Sequence, residues 1–316
     1  MSSLFTQGHA CIVGVGSDLP NTIQDAEAIA ALLKDPERCA YPPEQVQLLT
    51  GMQATRASIL FGLERLASTT TTDSTVILYF SGHGYEFKSP IGAFYYLMPF
   101  GYNTTQLPTT AISGAEFTTA LQAIPARKIL VLLDCCHAGG LSDLENLGLE
   151  VAKSPLPPEA QALFAKGQGH VIIASSKNGE ISLAGRPYSA FTAALIEVLC
   201  GKGVAKADGY VRVTDLAMYA REVVPRRTRD QQHPILNFEQ ADNFVLAYYA
   251  CGETQPKGLP FEGEPETDFG PVEGRSQVVQ ASGAVAIGGS ASSATIITGS
   301  GNVVGNNNFS NRRNNL

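Results

Sequence analysis

The stretch that most constrains this chain runs from Lys128 to Gly140, Lys-Ile-Leu-Val-Leu-Leu-Asp-Cys-Cys-His-Ala-Gly-Gly. The apolar run Ile129 to Leu133 is too short for a typical helix and is bounded by charge, which suits a strand buried on both faces of a parallel sheet. Asp134, Cys135, Cys136 and His137 follow at its carboxyl end, and Gly139-Gly140 then lets the backbone turn sharply. In open α/β sheets that end is where ligands bind. Val76 to Phe80 repeats the pattern and ends in Ser81-Gly82-His83-Gly84, a histidine between glycines just past a strand. The two stretches belong together chemically. A cysteine is a nucleophile only as thiolate, and an imidazole can take its proton and stabilise the resulting ion pair.

Composition narrows the classes of partner. The 316 residues can bury one large core or two, and a net charge of −7 speaks against a nucleic-acid partner, whose phosphates demand a basic surface. The six cysteines (11, 39, 135, 136, 200 and 251) have no CxxC spacing, so neither a disulfide framework nor a zinc knuckle is indicated, and a reducing, cytoplasmic setting fits. No apolar run approaches the roughly 20 residues that span a bilayer, and Met1 to His9 lack the features of a signal peptide, so no membrane partner is expected. Gly14-Val15-Gly16 lacks the third glycine and the acidic partner of a dinucleotide site. A metal site from Cys135, Cys136, His137 and His83 would need three consecutive ligands in strained geometry. The chemistry of a Cys–His pair calls for no cofactor.

Taken in order, the chain alternates strand and helix. Ala10–Val15 reads as a strand, Thr22–Lys34 as an amphipathic helix with Asp25 in its first turn, and Val46–Leu49 as a strand. Thr55 caps a helix to about Ala67, the His83 strand follows, and Phe94–Met98 reads as a hairpin arm. Ser113–Ile124 is a helix leading into the Cys136 strand. On the residues alone, Asp25 complements a helix dipole. Residues 141–169 carry three prolines and read, at least in their first half, as a long loop. His170–Ala174 is a strand ending in the polar loop Ser175–Gly179, Ser189 and Thr214 cap two further helices, Tyr210–Val213 is a strand, and Ile235–Phe238 is the last one. The expected architecture is α/β, a mostly parallel sheet with helices on both faces.

Ser81-Gly82-His83-Gly84 after one strand and Asp134-Cys135-Cys136-His137-Ala138-Gly139 after the next resemble the metacaspase and orthocaspase branch of the caspase-like cysteine peptidases, over about residues 8–250. Eukaryotic caspases read Gln-Ala-Cys-x-Gly, which this chain does not. The resemblance implies the caspase-hemoglobinase fold and acyl transfer to Cys136, with His83 protonating the leaving amine and the backbone N–H groups of Gly84 and Cys136 holding the oxyanion. A third residue orienting His83 is not identifiable from the sequence. The resemblance also implies a P1 pocket lined by Asp25, Ser81 and Asp134, which would select Arg or Lys in protein substrates. It divides residues 1–251 into a large part to about 140, an activation-type loop 141–169 and a small part 170–251. Lys153, Lys166 and Arg275 then become candidate processing sites, for the enzyme itself or for an upstream protease. For calcium, common in metacaspases, Asp143 and Glu145 are too few to define a site. Two alternatives stand beside this reading: an idle caspase-fold scaffold assembled by its tail, and a separase-like or legumain-like relative of different specificity.

The globular part is expected to end near Cys251. Residues 252–276 are an acidic Pro/Gly linker, and 277–316 form a low-complexity tail without Asp, Glu or Lys. Its short β-prone clusters and Asn run suit either a disordered segment or homotypic β-stacking between copies, resembling the amyloid-like motifs of cell-death effectors.

Overall fold

The computed structural model describes residues 4–89, 92–135, 150–153, 170–177, 180, 182–183, 185, 187–237, 243–260, 278–281 and 284–287. The backbone divides into two units, Met1–Phe269 and Gly270–Leu316. In the first, strands and helices alternate as β1 (Gly8–Gly14), α1 (Asn21–Lys34), β2 (Val46–Thr50), α2 (Arg56–Thr69), β3 (Thr75–Ser89), β4 (Gly92–Met98), β5 (Ile112–Ser113), α3 (Gly114–Gln122) and β6 (Lys128–Cys135). There follow β7 (Glu150–Lys153), β8 (His170–Ala174), α4 (Ala190–Leu199), β9 (Tyr210–Arg212), α5 (Val213–Arg227), β10 (Ile235–Asn237) and β11 (Val245–Tyr248).

The central sheet runs β10-β8-β6-β3-β1-β2, parallel throughout except for the antiparallel edge strand β10. Helices α1, α4 and α5 cover one face, packing on Ile12, Tyr79, Leu132 and Ile173. Helices α2 and α3 cover the other, packing on Val13, Leu78 and Val131. Alternation along each strand therefore feeds two apolar cores, the signature of a sheet buried on both sides. The helix starts follow local chemistry. Thr55 accepts from the Ser58 N–H, Ser113 and Glu116 form a reciprocal capping box, and Ser189 accepts from the Thr192 N–H.

Several segments differ from the sequence reading. β3 does not stop at Phe80; it runs on through Ser-Gly-His-Gly to Ser89, because from His83 onward it pairs antiparallel with β4, His83 opposite Met98. Gly82 lets the strand pass Val15, whose Cγ2 would lie 2.8 Å from any added Cβ. Part of the expected loop 141–169 is also strand: β7 lies antiparallel to β3, with Lys153 opposite Tyr85 and Glu150 opposite Lys88. Asp25 sits beyond the first turn of α1, which begins at Asn21, so dipole complementation is not its role. α5 begins at Val213, ahead of Thr214, because Asp215 accepts the Arg212 N–H at 2.9 Å and closes the first turn early. β9 joins β11, a strand the sequence reading lacked, in a separate two-stranded ribbon.

The first residues after Cys251 stay on this unit, where Arg38 Nε donates to the Gly258 carbonyl at 3.2 Å. In the second unit, β12 (Val278–Ala281) and β13 (Ala284–Ile287) form an antiparallel hairpin with Val278 opposite Ile287, built from two of the β-prone clusters. No helix among the described residues is long and apolar enough to cross a membrane.

Candidate active site

The parallel register builds the site at the carboxyl ends of the central strands. Gly14 of β1 is level with Ser81 of β3, and Ser81 with Asp134 of β6. Ala174 of β8 is level with Leu133, so Ser175 continues the row. Residues level across parallel strands share a face, and here it is the face of α1 and α4. Gly14 is what lets α1 come close. A Cβ there would stand 2.3 Å from the Thr22 carbonyl oxygen and 2.8 Å from Ala26 Cβ. Glycine at position 14 thus serves helix packing, which brings Asp25 down onto the row.

Asp25 and Asp134 are both fully buried. Ser189, the N-cap of α4, ties them together: its N–H donates to Asp25 Oδ1 at 3.0 Å and its hydroxyl to Asp134 Oδ2 at 2.5 Å. Asp134 also accepts from Ser182 Oγ at 2.8 Å and from Thr192 Oγ1 at 3.0 Å, while the Tyr79 hydroxyl lies 2.7 Å from Thr192 Oγ1. Gln232 braces the far side, donating to the Ser175 carbonyl and to Ser182 Oγ. Burial first, then the neighbouring Asp134 carboxylate, pushes the Asp25 carboxyl well above the usual range, against the pull of the Ser189 N–H. Six buried side-chain atoms among the described residues lack a hydrogen-bond partner, and four of them, Asp25 Oδ2, Ser81 Oγ, Ser175 Oγ and Ser176 Oγ, belong to this row and its edge. Native proteins leave few such atoms unsatisfied, and four of them lie together here.

His83 is buried, with 3% of its surface exposed, and its Nε2 lies 2.8 Å from Asp18 Oδ2. Burial alone would raise the Asp18 carboxyl. The hydrogen bond and charge of His83, with Asp18's own backbone N–H, hold it below the ordinary value instead. The sequence carried no signal for Asp18, which lies in the β1–α1 turn 65 residues from His83. Along β3, Gly82 lies opposite Cys135 of β6, and Tyr85 lies opposite Lys153 of β7.

Cys135 points to the other core, beside Tyr95, whose hydroxyl is 3.9 Å from its sulfur. Burial lifts its thiol to about 12, outweighing the Tyr95 hydrogen bond. It is a packed residue rather than a reactive one. Cys136 lies outside the described residues, as do His137, Asp143, Glu145, Lys166 and Arg275. The peptide bond alone sets its Cα about 3.8 Å from that of Cys135, the last residue of β6. Lys153, expected in an open loop, has its backbone paired in β7. Among the described residues, no group of three or more His, Cys, Asp and Glu is placed to hold a metal ion.

A histidine on one central strand beside the neighbouring strand that leads into the second cysteine of a Cys-Cys pair is the scaffold of a cysteine-peptidase-like domain. The chain belongs to the caspase domain family, whose pattern it matches over residues 7–245. No curated protein is significantly similar to it in sequence. The crystal structure of a protein from Geobacter sulfurreducens is similar at 17% identity and a TM-score of 0.48, over 73% of this chain and 92% of that one.

Proposed function

We propose that this protein is a cysteine endopeptidase of the metacaspase/orthocaspase type that cleaves proteins after Arg or Lys, with Cys136 as nucleophile and His83 as its proton carrier. The observation that carries the specificity is the buried Asp25–Asp134 pair with unsatisfied oxygens around it. A guanidinium or ammonium entering beside these oxygens would find two carboxyl groups and the hydroxyls of Ser81, Ser175 and Ser176. Arg can engage several at once through its planar fork of donors. An acidic P1 side chain would meet like charge at a cost of several kcal/mol.

In the first step the thiol proton passes to His83, and the Cys136 sulfur attacks the scissile carbonyl to give a tetrahedral oxyanion, for which the Gly84 and Cys136 N–H groups are the proposed donors. The C–N bond then breaks as His83 returns the proton to the leaving amine, and water hydrolyses the acyl-enzyme.

The test is a panel of fluorogenic peptides with Arg, Lys or Asp at P1, run with and without calcium. Hydrolysis of the arginyl and lysyl peptides, and not of the aspartyl one, is expected. Cleavage of the aspartyl peptide alone would overturn the basic-P1 reading. Turnover of none would favour the idle scaffold.

A further inference from the structure

We propose that Asp18 is a positioning residue for His83, fixing which ring nitrogen carries the proton. The proposal rests on the peptidase reading above for its consequence, though not for its geometry.

The β1–α1 turn is shaped to present this one side chain. Gly16 (φ +70°) and Ser17 (φ +57°) are both left-handed, a conformation natural for glycine and unusual for serine. The turn is closed by the Leu19 N–H donating to the Gly16 carbonyl at 2.9 Å. Thr22 locks it from the helix side, its Oγ1 accepting the Gly16 N–H and donating to the Leu19 carbonyl, both at 2.8 Å. Asp18 Oδ2 is thereby held 2.8 Å from His83 Nε2. The His83 ring, buried and 5.6 Å from the Tyr85 ring, has little freedom to turn away.

A carboxylate can only accept a hydrogen bond. Facing Asp18, Nε2 must therefore carry the proton of the neutral ring, leaving the Nδ1 lone pair to receive the thiol proton. When Nδ1 is protonated, the positive ring stays paired with the same carboxylate until Nδ1–H passes its proton to the leaving amine. Asp18 is 56% exposed on its side chain, so its replacement should leave the fold intact.

Two measurements on the full chain decide this. Long-range ¹H–¹⁵N NMR, recorded on a Cys136→Ala background, reads the His83 tautomer independently of turnover. The Nε2–H form should dominate with Asp18 and with Asp18→Asn, whose amide oxygen still accepts. Asp18→Ala should give a mixture of both tautomers. In active protein, Asp18→Ala should lower kcat on an arginyl peptide on the order of 10²-fold with little change in KM, and Asp18→Asn should recover part of it. An unchanged tautomer in Asp18→Ala overturns the proposal, as does an unchanged kcat in a protein that cleaves. A wild type that cleaves nothing would instead defeat the peptidase reading, and the NMR result would still decide whether Asp18 orients His83.

Discussion

Asp25→Asn is expected to lower kcat/KM on arginyl peptides by roughly 30- to 1000-fold while costing the free protein almost no stability. The loss corresponds to about 2–4 kcal/mol, typical for removing one member of a buried charge pair. Stability is spared because burial and the neighbouring Asp134 already raise the Asp25 carboxyl and disfavour its charged form. The sign follows from linkage. The unfolded carboxyl ionises in the ordinary range and the folded one only at higher pH, so the folded state binds more protons between the two values and loses stability as pH rises through that window. The Asn variant lacks this loss and should match or exceed the wild type in thermal melts above it. A cationic P1 side chain favours the ionised form, so KM for arginyl peptides should fall as pH rises in the wild type and stay flat in the variant. Asp134→Asn should behave differently. Its three hydroxyl donors from Ser182, Ser189 and Thr192 would face an amide NH₂, and a destabilisation of about 1–3 kcal/mol is expected. An Asp25→Asn protein that keeps its arginyl activity would remove Asp25 from the pocket.

Cys136→Ala should abolish turnover, by a factor on the order of 10⁶ in kcat, since the nucleophile and its base act as a unit. His83→Ala should be comparably inactive but for a second reason less clean. The sequence places His83 just past a strand end, whereas the structure keeps it buried within β3 opposite Met98. Truncating it removes a packed ring and leaves Asp18 without its partner, so a drop in melting temperature should accompany the loss of activity. Peptide kinetics paired with thermal melts separate the two effects, and a His83→Ala protein that melts normally and still cleaves would contradict its assigned role.

Much of this site is written locally in the chain. The runs before Gly16, Ser81, Asp134 and Ser175 are short, apolar and end in polar or glycine residues, which marks them as strands of one sheet and puts the last three ends on one rim. The caps at Thr55, Ser113 and Ser189 are equally local. What was not legible depends on residues distant in sequence. Ser-Gly-His-Gly looks like a turn, and only the partner strand β4 makes it extended. Ser189 reads as a helix cap, yet its hydroxyl and N–H also bridge two carboxyl groups that come from α1 and β6. Asp18 has no motif around it, and its contact with His83 exists only because β1 and β3 are neighbours with Val15 bonded to the Ser81 carbonyl. The sequence already denied Gly14 a dinucleotide role, but only the packed helix shows what that glycine is for, room for the Thr22 carbonyl and Ala26.

The central claim is that one cysteine, Cys136, is the reactive thiol beside a pocket for basic side chains. An arginyl chloromethyl ketone tests it directly, because the ketone is delivered by its guanidinium and the attacking sulfur displaces chloride to form a thioether that mass spectrometry can locate. The expected adduct is a single one on Cys136, formed slowly or not at all in Asp25→Asn, with Cys135 unmodified because its buried thiol is lifted to about 12. An adduct on Cys135, or labelling at Cys136 that an aspartyl ketone matches in rate, would contradict the account.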